Sequence, residues 1–308
     1  MPNTPVLDRE CQAGRAADRT GWEDMAETQR RLARYNEKRL RPALSNDRWR
    51  ADLAEEQQMK AMEAQFVEQE RQAVAVRAKS APGTPEGFMD WYEGLRDTGP
   101  GQGDALFPWL AETASRAEMR WFIEQEIGGE AGFDDLVALT QVRMGTTAKL
   151  ELARNYWDEM GRGNRKAMHG PMLSALGRAL GARSTVDSTV WESLALTNMM
   201  VALAANRRYA YQSIGALGII ELTAPGRAVY VTRGLERLGI PAKARHYFAL
   251  HAVLDVKHSA AWNREIIHSI LAEEPRAATA IAEGALLRLA CGERCFRRYR
   301  KEFGLVSA

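Results

Sequence analysis

Cysteine is scarce in this chain: Cys11, Cys291 and Cys295 are the only three in 308 residues. So odd and sparse a set excludes a disulfide framework and a thiolate metal cluster. Cys291 and Cys295 share one helix face by spacing and read as small residues of a core-facing stripe. Net charge is nearly absent too, with 42 Lys and Arg against 40 Asp and Glu. No overall field favours nucleic acid or a membrane surface, so neither is expected as a partner. Long apolar runs are missing as well. The longest stretch without a charged residue, Ser193 to Asn206, falls short of the roughly 20 apolar residues of a membrane helix. Met1 to Thr20 are polar and charged, without the apolar segment of an export signal, and the expected location is cytoplasmic. Alternating strand patterns and internal repeats are also lacking.

What remains is helical. Residues 1–20 form a polar leader, expected to be disordered. Residues 21–80 are dense in Glu, Arg, Lys, Gln and Ala, strong helix formers with few apolar positions. Trp22, Met25, Leu32, Tyr35 and Leu40 make a sparse first set, interrupted by Pro42. Trp49, Leu53, Met62 and Phe66 make a narrow stripe on a second helix, with Ser45 or Asn46 as its cap. This arm can dock on its own chain or on a second subunit, and it is the candidate oligomerisation element. Ser80 to Pro85 reads as a linker, with Thr84 and Pro85 opening a helix. A helical domain over residues 84–308 follows, broken at Thr98 to Gly103, Gly128-Gly129, Gly161 to Asn164, Gly181 to Ser184, Pro225-Gly226 and Gly239 to Pro241. Ser115 and Glu118 carry a capping-box signature.

Chemistry concentrates around the histidines. His251, Asp255 and His258 stand at i, i+4 and i+7, so a helix projects two imidazoles and a carboxylate from one face. Nitrogen and oxygen ligands together suit iron or manganese. The apolar neighbours Phe248, Ala249, Leu250, Ala252, Val253 and Leu254 imply a largely buried helix, where ionisable groups need partners or a metal. A hydrogen-bonded surface cluster is the plainer alternative. One helix cannot complete a metal site, so other segments must contribute. Glu221 ends an apolar stretch before Thr223-Ala-Pro225, which is expected to close the helix; it is either a ligand or a residue emerging into solvent. Glu159 precedes His169 by ten residues, about 15 Å on a straight helix, so the two can meet only if Gly161, Gly163 and Asn164 break it. Otherwise Glu159 is a surface charge and His169 a loop residue. Arg162 and Arg245 are candidates for anchoring a carboxylate.

Taken together, His251-x3-Asp255-x2-His258, the segment Asn155-Tyr-Trp-Asp-Glu159-Met-Gly, His169 and Glu221 resemble the haem-oxygenase-like di-iron oxidases and oxygenases. The resemblance spans roughly residues 105–300. It implies an all-α bundle of seven helices like haem oxygenase, holding two Fe(II)/Fe(III) ions in place of haem, with O2 as co-substrate and an external reductant where needed. It implies Glu159, His169, Glu221, His251, Asp255 and His258 as the metal ligands. Glu126 and Glu130 lie where some members add a further glutamate, and neither is assigned. Family chemistries include N-oxygenation of amines, C–C cleavage of amino acids and decarboxylation of fatty acids. The arm is similar in kind to dimerisation segments of N-oxygenating members, which points to a homodimer acting on an amine or amino acid in a biosynthetic pathway. The competing reading is a metal-free helical scaffold or binding module of the same fold. Glu265 and His268 form a Glu-x-x-His pair without the second copy a ferritin-like site needs, and are read as peripheral.

Overall fold

A computed structural model describes residues 7–130 and 132–305, with side chains from Asp24 onward. The expectation for the leader falls on residues whose side chains lie outside this range. Every regular element among the described residues is helical. In chain order they are α1 (Leu7–Leu40), α2 (Trp49–Lys79), α3 (Pro85–Thr98), α4 (Leu106–Glu112), α5 (Arg116–Gly129), α6 (Phe133–Thr140), α7 (Thr146–Glu159), α8 (His169–Leu180), α9 (Trp191–Ala205), α10 (Ala210–Arg237), α11 (Ala242–Ala261), α12 (His268–Glu273) and α13 (Ala277–Glu302). Two 3-10 turns join α7 to α8, and a π-helical turn, Trp262–Ile267, joins α11 to α12. There are more segments than the seven helices the resemblance implies, since the arm and several short helices add to the bundle.

Local signals act where the sequence places them. Thr84 Oγ1 accepts from Gly87 N with Pro85 in the first turn, and Ser115 and Glu118 close a reciprocal capping box. The uncharged stretch from Ser193 becomes α9, buried on nearly all sides at the centre of the bundle. Beside it, α10 packs on α4, α11 and α13. The α10–α13 crossing is closed by glycines: a Cβ on Gly215 would stand 1.9 Å from the Ile281 carbonyl oxygen, and one on Gly284 1.8 Å from that of Gln212. Residues 207–237, which include α10, are long and apolar enough to cross a bilayer, yet 61% of that apolar window is buried inside the protein. Its hydrophobicity is accounted for by the core.

Three expectations need correction. The arm packs on its own chain, with Leu32, Tyr35, Phe66 and Val67 buried in the main core, but its stripe and cap differ from those expected. Polar contacts fix its register, with α1 meeting α9 through Asn36, Gln29 and Asn198, and α2 meeting α13 through Arg71–Glu283 and Glu70–Arg294. Trp49 and Leu53, assigned to the stripe, are more than half exposed, and Arg48 holds the cap position while Asn46 Oδ1 accepts the Arg48 amide. Secondly, Pro225 does not end its helix; α10 runs through it to Arg237. Packing on several neighbours outweighs the roughly 3 kcal/mol that an internal proline costs. Thirdly, α11 is buried on one face only, through Phe248, Asp255, His258 and Ser259, while Val253 and Val256 are 66% and 59% exposed. The apolar neighbours of the histidines include its outer surface.

Candidate metal centre

Four helices deliver the six residues. Glu159 is the last residue of α7, His169 the first of α8, Glu221 sits mid-way along α10, and α11 presents His251, Asp255 and His258. The α7–α8 connection is the break the spacing demands. Gly161, Arg162 and Gly163 take left-handed backbone angles, φ of 61°, 53° and 79°. At Gly161 a side chain would both strain that angle and meet the Ala167 carbonyl carbon at 2.5 Å. The chain therefore reverses within a few residues, and His169 Nδ1 comes to 2.6 Å from Glu159 Oε2.

Two groups of ligating atoms form, each with all its atoms within 4.8 Å of one another: Glu159, His169 and His251, and Glu159, Glu221 and His258. Glu159 is common to both. Asp255, 2% exposed, lines the same cavity but belongs to neither group. Glu159, His169, Glu221 and His258 are buried and His251 nearly so. Neighbours fix the imidazoles. His251 Nδ1 donates to the Tyr247 carbonyl at 2.6 Å, which leaves Nε2 as its lone-pair nitrogen. His258 Nε2 meets Asp158 Oδ2 at 3.1 Å, turning Nδ1 toward Glu221 Oε2 at 3.5 Å. Asn155 Nδ2 donates to Glu221 Oε1 at 2.7 Å. Asp158 and Asn155 lie inside the quoted segment, but their roles have no sequence signal, because their partners are far along the chain.

Three carboxylates in so little water repel one another. Burial, and then the Glu221 charge, push Glu159 well above the usual carboxylate range; burial, Glu221 and Glu159 do the same to Asp255. Burial disfavours a charged His258, but the Glu221 and Asp158 carboxylates override it and raise its pKa to about 9. His251 goes the other way, down to about 4, through burial and the neighbouring His169. The residues fit a metal. His169 Nδ1 and His258 Nδ1 are buried without a hydrogen-bond partner although each faces a carboxylate oxygen, as expected of lone pairs aimed at a shared cation.

A cavity of about 200 Å³ opens from this cluster toward Phe107, Phe122 and Phe296. Glu126 lines it without joining either group, and Glu130 Oε1 accepts the Gly132 and Phe133 amides instead. Arg162 and Arg245 do not reach it: Arg162 pairs with Asp158 across an exposed turn, and Arg245 with Glu236. Glu265 and His268 are peripheral as expected, paired with Arg264 and Glu86.

The iron-containing redox enzyme family matches residues 120–293, more than half of the chain and all six residues of the cluster. The chain belongs to the iron-containing redox enzymes. The match makes it a member of an oxidoreductase family and places iron among its expected metals. Among solved structures, this iron-containing redox enzyme is similar to a CADD-like protein of unknown function from Nostoc punctiforme, with a TM-score of 0.53 and 19% identity over 69% of this chain and 95% of that one. It also matches a domain of unknown function with a haem-oxygenase-like fold from Shewanella denitrificans, with a TM-score of 0.49 and 13% identity over 71% of this chain and 92% of that one. No curated protein matches. The all-α, haem-oxygenase-like bundle expected of the sequence is the fold of this enzyme.

Proposed function

We propose that this protein is a non-haem di-iron enzyme that uses O2 to oxidise a small molecule, an amine or amino acid, by N-oxygenation or oxidative C–C cleavage. The observation that carries the reading is the pair of buried ligand groups sharing Glu159. Cations held by these residues would neutralise the charges that Glu159, Glu221 and Asp255 otherwise impose on one another. A metal-free scaffold would have no use for three mutually repelling buried acids.

Glu159, His169 and His251 would hold one iron and Glu159, Glu221 and His258 the other, with Asp255 adding a carboxylate from the α11 face. Iron held there would supply the activation of O2. The chain supplies the rest. The Tyr247 carbonyl and the Asp158 carboxylate lock the tautomers of His251 and His258, and Asn155 holds Glu221 in place. The apolar cavity excludes water from the reacting end of a bound substrate. The test is anaerobic loading with ferrous iron. About two irons per chain are expected, falling sharply in His251→Ala and Asp255→Ala with helicity retained, and O2 uptake should accelerate when the right amine or amino acid is added. A folded protein that takes up no iron sinks the proposal.

A further inference from the structure

The same cavity is lined by two arginines that the centre does not use, Arg227 on α10 and Arg288 on α13. Among the described residues, Arg227 makes a single hydrogen bond, to Thr223 Oγ1 at 3.2 Å, and otherwise lies over the Phe107 and Phe296 rings. Among the described residues Arg288 makes no hydrogen bond or ion pair. Each guanidinium carries five N–H donors, so most of their donors are open to the cavity. Elsewhere in this chain buried arginines are paired: Arg71 with Glu283, Arg294 with Glu70, Arg300 with Asp104. Glu126, on the same cavity, is bonded by Tyr299 at 3.4 Å and forms no ion pair with either arginine. Burial and the adjacent Arg288 lower the Arg227 pKa to about 9, the mark of a cation held against its preference. Glu126 and Glu130 both feel the Arg288 charge, and Glu126 that of Arg227, but neither carboxylate pairs with a guanidinium, so among the described residues both cations lack a direct counter-ion. Desolvated charge of that kind is tolerated where a ligand of opposite sign completes it.

We infer that Arg227 and Arg288 form a carboxylate-binding subsite that seats an organic acid with its carboxylate on the two guanidiniums and its other end directed at the Glu159 cluster. As an anion site it stands on these side chains alone; as a substrate subsite it rests on the redox reading above. The planar fork of each guanidinium matches a carboxylate, and the phenylalanines around it suit an apolar body. Six residues of α10 separate Glu221 from Arg227, roughly 9 Å along the axis, so the acid must carry several carbons between its carboxylate and its reacting end. An amino acid that reacts at the far end of a long side chain meets the requirement; an amine without a carboxylate does not.

The test uses the full chain, stripped of metal by chelator, and straight-chain acids from butanoate to dodecanoate, each beside its primary amide. Melting temperature and calorimetric titration report binding, with no turnover needed. At least one acid should bind and its amide should not. Arg227→Gln and Arg288→Gln should each weaken that acid roughly tenfold to a hundredfold, the range of a lost charge-assisted hydrogen bond. Arg288→Lys should restore part of the loss and serves if the glutamine variant folds poorly. Iron loading of both variants should equal that of the parent. Acids that bind no better than amides across the series, or that bind the glutamine variants as well as the parent, overturn the subsite. Failure of iron loading in the parent, with carboxylate binding intact, overturns the di-iron reading and leaves the subsite standing.

Discussion

Gly284→Ala tests the α10–α13 crossing on which the cavity depends. The new methyl would stand 1.8 Å from the Gln212 carbonyl oxygen, where real contacts stay above 3.0 Å. The atom it meets is backbone, in the first turn of α10, so no rotamer change relieves it. The helices must part by more than about 1 Å at that point, and overpacking of this kind costs typically 1–3 kcal/mol. We expect a loss of about 3 kcal/mol, a large share of the 5–15 kcal/mol that holds a domain folded. Urea unfolding followed by circular dichroism measures it, with Gly94→Ala as the control: nothing lies within 4 Å of that site, and removing glycine from a helix interior should gain about 0.5–1 kcal/mol. All six cluster residues lie on α7, α8, α10 and α11, whereas Arg288 lies on α13. Iron stoichiometry in the folded fraction should therefore survive better than carboxylate binding. A Gly284→Ala protein as stable as the parent would refute the reasoning.

Further outcomes concern the centre itself. Glu159→Gln keeps shape but removes the charge common to both groups, so iron content should drop from about two per chain to near zero rather than to one; retention of one tightly held iron would contradict the shared role. Asp158→Asn leaves all six residues in place but loosens His258, and should weaken iron binding by about 10–100-fold in competition with a chelator, with an unchanged affinity counting against the orienting role. In the metal-free protein, Glu159 and Asp255 have raised folded-state pKa values, and His258 is raised to about 9. Such groups hold more protons folded than unfolded, so their stabilisation is full below the unfolded pKa values and is lost as pH rises. Melting temperature should fall from pH 6 to pH 9 without metal and much less with iron bound; a flat profile without metal would show that the repulsion is absent.

Much of this was readable before the structure, and the reasons are local. The Thr84 and Ser115 caps are decided within four residues, and the His251 face follows from helical geometry. The turn at Gly161 is legible because only a broken helix brings Glu159 to His169 and glycines stand where it must break, whereas the left-handed Arg162 at φ 53° has no such signal. What failed depends on distant chain. Pro225 was read by its intrinsic preference, which packing on α4, α11 and α13 overrides. Apolar residues on the Val253 side of α11 point to an interior face in sequence, because an apolar residue carries no mark of whether a neighbour covers it. Arg227 and Arg288 are indistinguishable in sequence from the other arginines; only the fold places them on one cavity.

Pro225 also has a mechanical consequence. Lacking an amide hydrogen, it cannot close the helical ring to the Glu221 carbonyl, so α10 is joined across that step by one bond fewer than its neighbours. Glu221 lies on one side of the weak step and Arg227 on the other. A small tilt of the C-terminal half would lengthen or shorten the reach between them without moving any cluster residue, which makes this step the natural place for relatives to adjust the size of molecule they accept.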